Sequence, residues 1–231
     1  NGITHSGKTK LVKNYLLTLK KNSYLYIDCD DLRVNSDELN LHLHGFCVKN
    51  KILTVALDNY RPVVNLPLVP QLIVLSQEKY ELDGLIPIVI FPLDYEEFLA
   101  YEHKYDSSAL NHFFLFGGFA SMHNIKSDER VKFVQNILKS ALTTLELEIL
   151  IFSTKQMAQK VSPFSIYERL KQSIKTSKDT LYKAFDALSK KGYIHLLEKA
   201  NHPKAIKKIY LCDISLKYAL SVDKNFSKLF E

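Results

Sequence analysis

Apolar residues recur along the chain with two spacings. In residues 10–20, Leu11, Val12, Tyr15, Leu16 and Leu19 fall at i, i+1, i+4, i+5 and i+8, which is one face of a helix. Shorter β-prone runs follow at 24–28, 52–58, 71–76 and 87–91, and each predicts a strand. A helix is expected at 36–46 between the first two. Only 17 residues separate Asp58 from Ser76, with Pro62, Pro67 and Pro70 among them, so an extended crossover is expected there instead of a helix. Strands joined this way predict an α/β unit with a parallel sheet.

The pattern changes after residue 125. An apolar stretch at helical spacing covers 130–150 (Val131, Val134, Ile137, Leu138, Ala141, Leu145) and reads as a lid helix or a connection. A second helix is expected over 151–161 and a short one over 163–173, with Pro163 in its first turn. Thr176 or Ser177 caps a third, 178–191, which Gly192 stops. Residues 193–199 and 206–213 read as two strands joined by the tip 200–204. Helix, helix, turn, helix and hairpin is the order of a winged helix. The expected domains are therefore 1–125, a connecting 126–150, and 151–231.

The chain of 231 residues is 46% apolar and 24% charged, which excludes a disordered or low-complexity protein. Its longest apolar run, 85–93, is far short of the roughly 20 residues of a membrane-spanning helix. Three scattered cysteines fit a reducing cytoplasm, not a disulfide framework. Charge is split: residues 1–150 hold 15 Lys+Arg against 18 Asp+Glu, and 151–231 hold 16 against 7. A basic second part suits a polyanion, or is a solvated lysine surface. With only four Arg in the chain, the usual guanine reader is scarce. His42, His44 and Cys47 lie close together, but on a helix i and i+2 point apart, so no metal is assigned.

Residues 2–9 read Gly-Ile-Thr-His-Ser-Gly-Lys-Thr, the G-x-x-x-x-G-K-T phosphate-binding pattern. Gly2 and Gly7 let the backbone curl so that successive N–H groups, Ser6 among them, face an anion. Lys8 supplies a point charge for the β- and γ-phosphates, and Thr9 offers a hydroxyl to Mg²⁺. The helix that follows adds its positive dipole end. ATP with Mg²⁺ is the expected cofactor. Such a loop normally leaves a buried strand, and nothing before Asn1 supplies one. The expectation is a sheet lacking its first strand, in a chain truncated at its N-terminus.

The run 52–58 ends in Asp58, the candidate for holding Mg²⁺ through water. Many ATPases carry Glu at the next position to activate the attacking water. Here Asn59 stands there and cannot take a proton. Either hydrolysis is slow, or another carboxylate (Asp30, Asp31 or a partner's) serves as the base. The carboxylates at the end of strand 24–28 are candidates to hold a Mg²⁺-bound water or, preferably, to cap the next helix. Ser76 or Gln77, at the end of 71–76, is placed to sense the γ-phosphate.

Three later segments carry a resemblance. Residues 91–99 (FPLDYEEFL), 115–120 (LFGGFA) and 208–213 (KIYLCD) resemble the P-L-s-f-x-E-F-l, G-G-y-P and K-x-Y-x-x-D segments of a bacterial and archaeal branch of AAA-type ATPases. Together with 2–9 and Asp58 they occur in the same order over nearly the whole chain. This chain departs from the pattern in the absent first strand, Asn59, the Pro-rich crossover and Ala120. The resemblance implies a P-loop ATPase core followed by a smaller, often winged-helix-like region. It also implies an arginine completing the site, for which Arg130, Arg61 and Arg33 are candidates, a surface salt bridge being the alternative for each. On the residues alone, Asp94 and Glu97 form a capping box, and Gly117-Gly118 permits a close approach or a tight turn.

Three functions remain open: an ATPase whose nucleotide state repositions the basic domain, a nucleotide-gated binding protein with little hydrolysis, and a DNA-binding regulator with a vestigial site. For DNA, the exposed face of helix 178–191 offers Ser177, Lys178, Thr180, Lys183 and Lys190, and the wing offers Lys204, Lys207 and Lys208 to phosphate. The partner is DNA or a protein. No membrane is expected, and oligomerisation stays open.

Overall fold

The structure is a computed structural model, and it describes residues 1–103, 105–202 and 205–222. It divides into two compact units. The first holds Asn1–Gly2 and Gly7–Ile90, and the second holds Ile3–Ser6 and Phe91 onward.

The first unit is an α/β layer. Helix α1 (Lys8–Leu17) leads to strand β1 (Tyr24–Asp28), helix α2 (Ser36–Lys49), β2 (Thr54–Asp58) and β3 (Gln71–Val74). The three strands are parallel in the order β1-β2-β3, with Asp28 opposite Asp58. β2 is central and buried along its whole length, with apolar Val55, Ala56 and Leu57 between a buried Thr54 and a buried Asp58, as suits a parallel strand covered on both faces. Leu43 and Cys47, one helical turn apart on α2, pack with Val55, Leu57, Tyr60 and Val64. No helix forms between β2 and β3, where the prolines break the donor pattern.

Two expectations change here. The cap of α2 is Asn35, whose side chain accepts from the amides of Asp37 and Glu38, not a carboxylate from the end of β1. Residues 87–91 form no strand. Instead the Asn1 amine donates to Ile88 O at 2.6 Å, and Ile90 N donates to Asn1 O at 2.8 Å, a single parallel-type pairing. The outer edge of β3 and the segment 84–90 bound a cleft of about 560 Å³, which Lys8, Leu11 and Val12 also line.

In the second unit, α3 (Tyr95–Glu102), α4 (Ala109–Phe116) and α5 (Arg130–Ala141) precede α6 (Thr144–Lys155). Then come β4 (Lys160–Val161), α7 (Pro163–Leu170), α8 (Lys178–Lys190), β5 (Ile194–Leu197), β6 (Lys207–Leu211) and α9 (Ser215–Leu220). The strands form an antiparallel sheet in the order β4-β6-β5. The apolar stretch around 130–150 is not one helix. Thr143 and Glu146 close a capping box that starts α6, and the T-x-x-E spacing is the readable signal. The expected helix 151–161 ends instead at Lys155, and its last residues become β4. Ser162 with Pro163 starts α7, and Ser177 caps α8, which buries Leu181, Phe185 and Leu188.

The three segments that carry the AAA-type resemblance meet in this unit. Asp94 and Glu97 make the expected capping box of α3. Leu93 N donates to Gly118 O at 2.8 Å, and Gly118 N donates to Asp213 Oδ2 at 2.6 Å. Both the amide and the hydroxyl of Ser215 donate to Asp213 Oδ1. A Cβ on Gly118 would lie 1.9 Å from Leu93 O, and one on Gly117 would meet the Asp213 carboxylate. The paired glycines therefore serve close approach around a buried carboxylate. Burial raises the pKa of Asp213, against the hydrogen bonds from Ser215 and Gly118 that favour its charged form.

Candidate functional site

The phosphate-binding pattern folds as its composition requires. Gly2 and Gly7 take φ of +152° and +97°, conformations costly to a side-chain-bearing residue. A Cβ on Gly2 would also fall 2.2 Å from Ile90 O. Gly7 is the N-cap of α1, so Lys8 and Thr9 open the helix. Ser6 is buried within the second unit, where Ile3 joins the apolar core and the His5 ring lies edge-on to Phe133 at 5.7 Å.

One long-range contact ties this helix start to a strand end, and one local contact closes the loop. Thr9 Oγ1 donates to Asp58 Oδ2 at 2.7 Å, although the two residues are 49 apart in sequence. Lys8 Nζ donates to Gly2 O at 2.7 Å, curling over the loop where phosphate oxygens would replace that carbonyl. Asp58 is 3% exposed, and Asn59 N donates to its Oδ1 at 2.9 Å. The Tyr26 hydroxyl donates to Asp58 Oδ2, also at 2.7 Å. The sequence motifs do not single out Tyr26, yet its signal lies in strand alternation: Tyr26 and Asp28 share the face of β1 opposite to Leu25 and Ile27. Burial, then the bond to Asp58, holds the Tyr26 phenol well above its ordinary pKa, so it stays a donor.

Other candidates are engaged elsewhere. Asp31 forms a two-bond pair with Arg33, and Asp30 pairs with Arg61 at 2.7 Å. Arg130 lies 3.7 Å over the Phe116 ring and donates Nε to Ile125 O. Ser76 Oγ donates to Glu78 O at 2.6 Å while its residue lines the 560 Å³ cleft beside Lys8. Gln77 lines a smaller polar pocket with Asn59 and Arg61.

On α8, Ser177, Lys178, Thr180, Lys183 and Lys190 are all exposed. Lys178 sits over the rings of Phe164 and Tyr182, Lys190 pairs with Asp186, and Lys207 pairs with Glu198. Neither Lys183 nor Lys208 has an ion-pair partner among the described residues. Lys204 lies outside the described residues. No helix among those described is long and apolar enough to cross a membrane.

The donor set suits a magnesium nucleotide: a hydroxyl and a carboxylate, both hard oxygen ligands, stand 2.7 Å apart beside an ammonium group. Burial draws the Lys8 ammonium down to about 8, with the Asp58 charge opposing the fall. Phosphate needs the protonated form. ATP affinity should therefore be flat near pH 7 and weaken above pH 8, by up to about tenfold per pH unit. Calorimetric titration between pH 7 and 9.5 checks this. Lys8→Arg, which keeps its charge, should show no such slope.

No protein-family model and no curated protein sequence matches the chain. Among solved structures, the Walker-type ATPase PABY2304 of Pyrococcus abyssi aligns with a TM-score of 0.60 at 15% identity, over 95% of this chain and 89% of that one. The chain shares the fold of that protein. The ORC1 protein of Aeropyrum pernix, solved in complex with DNA, aligns over 99% of this chain and 87% of its own, at 13% identity and a TM-score of 0.38.

Proposed function

We propose that the protein binds ATP with Mg²⁺ on Gly2, Ser6, Gly7, Lys8 and Thr9, and hydrolyses it. The observation that supports this most is the Thr9–Asp58 hydrogen bond. It brings the hydroxyl after the loop lysine and a strand-end carboxylate into direct contact, and these are the two side chains that would hold Mg²⁺ beside the phosphates. The metal would neutralise charge on the β- and γ-phosphates. Lys8 would add a charge-assisted bond to the same oxygens. Asp58, with three donors already aimed at it, is held oriented for that metal. Ser76 would report the γ-phosphate by exchanging the Glu78 carbonyl for a phosphate oxygen.

In the same reading the basic region 151–231 is a winged helix whose position follows the nucleotide state. The element order α6-β4-α7-α8-β5-β6 and the strand order β4-β6-β5 support that reading. Its partner is DNA or a protein, met through the exposed face of α8 and through Lys207 and Lys208. Calorimetric titration of the chain with ATP tests the reading. Binding should tighten at least about tenfold when Mg²⁺ is added, since the metal carries charge the protein alone leaves unpaired. An affinity indifferent to Mg²⁺ would remove Thr9 and Asp58 from the site.

A further inference from the structure

Many ATPases use a carboxylate to take a proton from the attacking water, and Asn59 holds the position where that group is expected. The geometry points to Asp28, on the neighbouring strand, as the general base of this site. The inference rests on the ATPase reading above.

The carboxylates at the ends of β1 and β2 separate by what already occupies them. Asp58 accepts from Thr9, Tyr26 and Asn59, and so acts as an anchor. Asp31 is gripped by Arg33, which holds its carboxyl well below the usual range and makes it a poor proton acceptor. Asp30 is neutralised by Arg61. Asp28 differs from all three. Its Oδ1 accepts from the Asn59 amide at 2.9 Å and from Asp30 N at 3.1 Å, and no hydrogen bond to its Oδ2 is present among the described residues. It is only half-buried.

Position supports the same choice. The parallel register sets Asp28 directly beside Asp58 at the carboxyl end of the sheet, about 4.8 Å away across the ladder. In open α/β sheets ligands bind at that end. Asn59 holds the pair together: its backbone N–H goes to Asp58 and its side-chain N–H to Asp28. It does so at φ +51°, a left-handed conformation that Asn accepts more readily than most residues. Asn59 is thus a positioning residue. It fixes one oxygen of Asp28 and leaves the other for water.

The step balances without any further reagent. The water oxygen bonds to the γ-phosphorus while the bond from that phosphorus to the β,γ-bridging oxygen breaks. The electron pair leaves with ADP, and the water proton passes to Asp28 Oδ2. Asp28 then releases that proton to solvent.

The test uses the full chain. Asp28→Asn keeps an acceptor oxygen for the Asn59 amide. It should bind MgATP within about twofold of wild type and release phosphate at least about 100-fold more slowly. Asp28→Ala should be similarly slow and regain rate when formate is added as a diffusible carboxylate. Wild-type phosphate release in Asp28→Asn would overturn the inference. So would a slow Asp28→Ala that ignores formate, because that assigns a structural role. If the wild type binds MgATP but releases no more phosphate than Lys8→Ala, there is no hydrolysis to catalyse and the inference falls while nucleotide binding stands. If the wild type does not bind at all, the nucleotide reading fails first and takes this one with it.

Discussion

Lys8→Ala should lose ATP binding by about 100-fold or more while leaving the thermal unfolding midpoint nearly unchanged. The ammonium is half-buried and donates to Gly2 O within the loop, so in the free protein its desolvation offsets what its hydrogen bonding contributes. In the proposed complex the same group would face two phosphates. A charged hydrogen bond contributes about 1.5–3 kcal/mol, and two of them span roughly two orders of magnitude or more in affinity. Removing a desolvated charge from the free protein costs the fold little. The pairing of a large binding loss with a small stability change is therefore the signature of a ligand-facing lysine. Calorimetric titration with MgATP and a melting curve on both proteins measure it. Phosphate release should fall with the binding, and equal release from wild type and Lys8→Ala would remove the enzyme reading. Asp58→Ala should also weaken MgATP binding, but with a stability cost, since Thr9 and Tyr26 would both lose a buried acceptor.

Gly118→Ala should be among the most destabilising substitutions in the chain, at about 3–5 kcal/mol. The added methyl would meet Leu93 O at 1.9 Å, and that atom is backbone, so no side chain can swing away. To make room, residues 93 and 118 must part. That breaks the Leu93–Gly118 bond and pulls the Gly118 amide off Asp213, whose residue is 6% exposed. An abandoned buried acceptor costs its desolvation, about 1–3 kcal/mol, and the forced backbone shift adds a similar amount. For a chain of this size the midpoint should drop by about 10 °C. Gly45→Ala is the control. Gly45 sits in α2 with nothing within 4 Å of the place its methyl would take, and alanine there should stabilise by up to about 1 kcal/mol. A melt showing Gly118→Ala within a degree or two of wild type would contradict the packing around Asp213.

Features whose physics is local can be read from the residues alone. The turn at residues 2–7 was legible because glycine at both ends answers a backbone requirement, a positive φ, that few other residues meet. The capping box at Asp94 and Glu97, the cap at Ser177 and the stop at Gly192 were legible for the same reason. The central strand β2 announced itself by a largely apolar run, 52–57, ending in Asp58. The boundary at Thr143 is local too, but the apolar period runs on through it and masks the cap.

Tertiary structure decided what depends on register and on which partners meet. Composition could not tell which of Asp28, Asp30 and Asp31 is spared an arginine, since each has one within reach along the chain or across the sheet. Only the placement of Arg61 and Arg33 settles that. Nor could it show that Asn59 joins the carboxylates of two strands, because that depends on the parallel pairing of 28 with 58 and on a left-handed turn after β2. The segment 87–91 has strand composition but makes only one pairing, with Asn1. A strand is a property of a ladder, and β-propensity alone fixes no partner. The convergence of Leu93, Gly118 and Asp213, up to 120 residues apart, has the same origin: contacts at that separation are set by packing, and the local chain carries no mark of them.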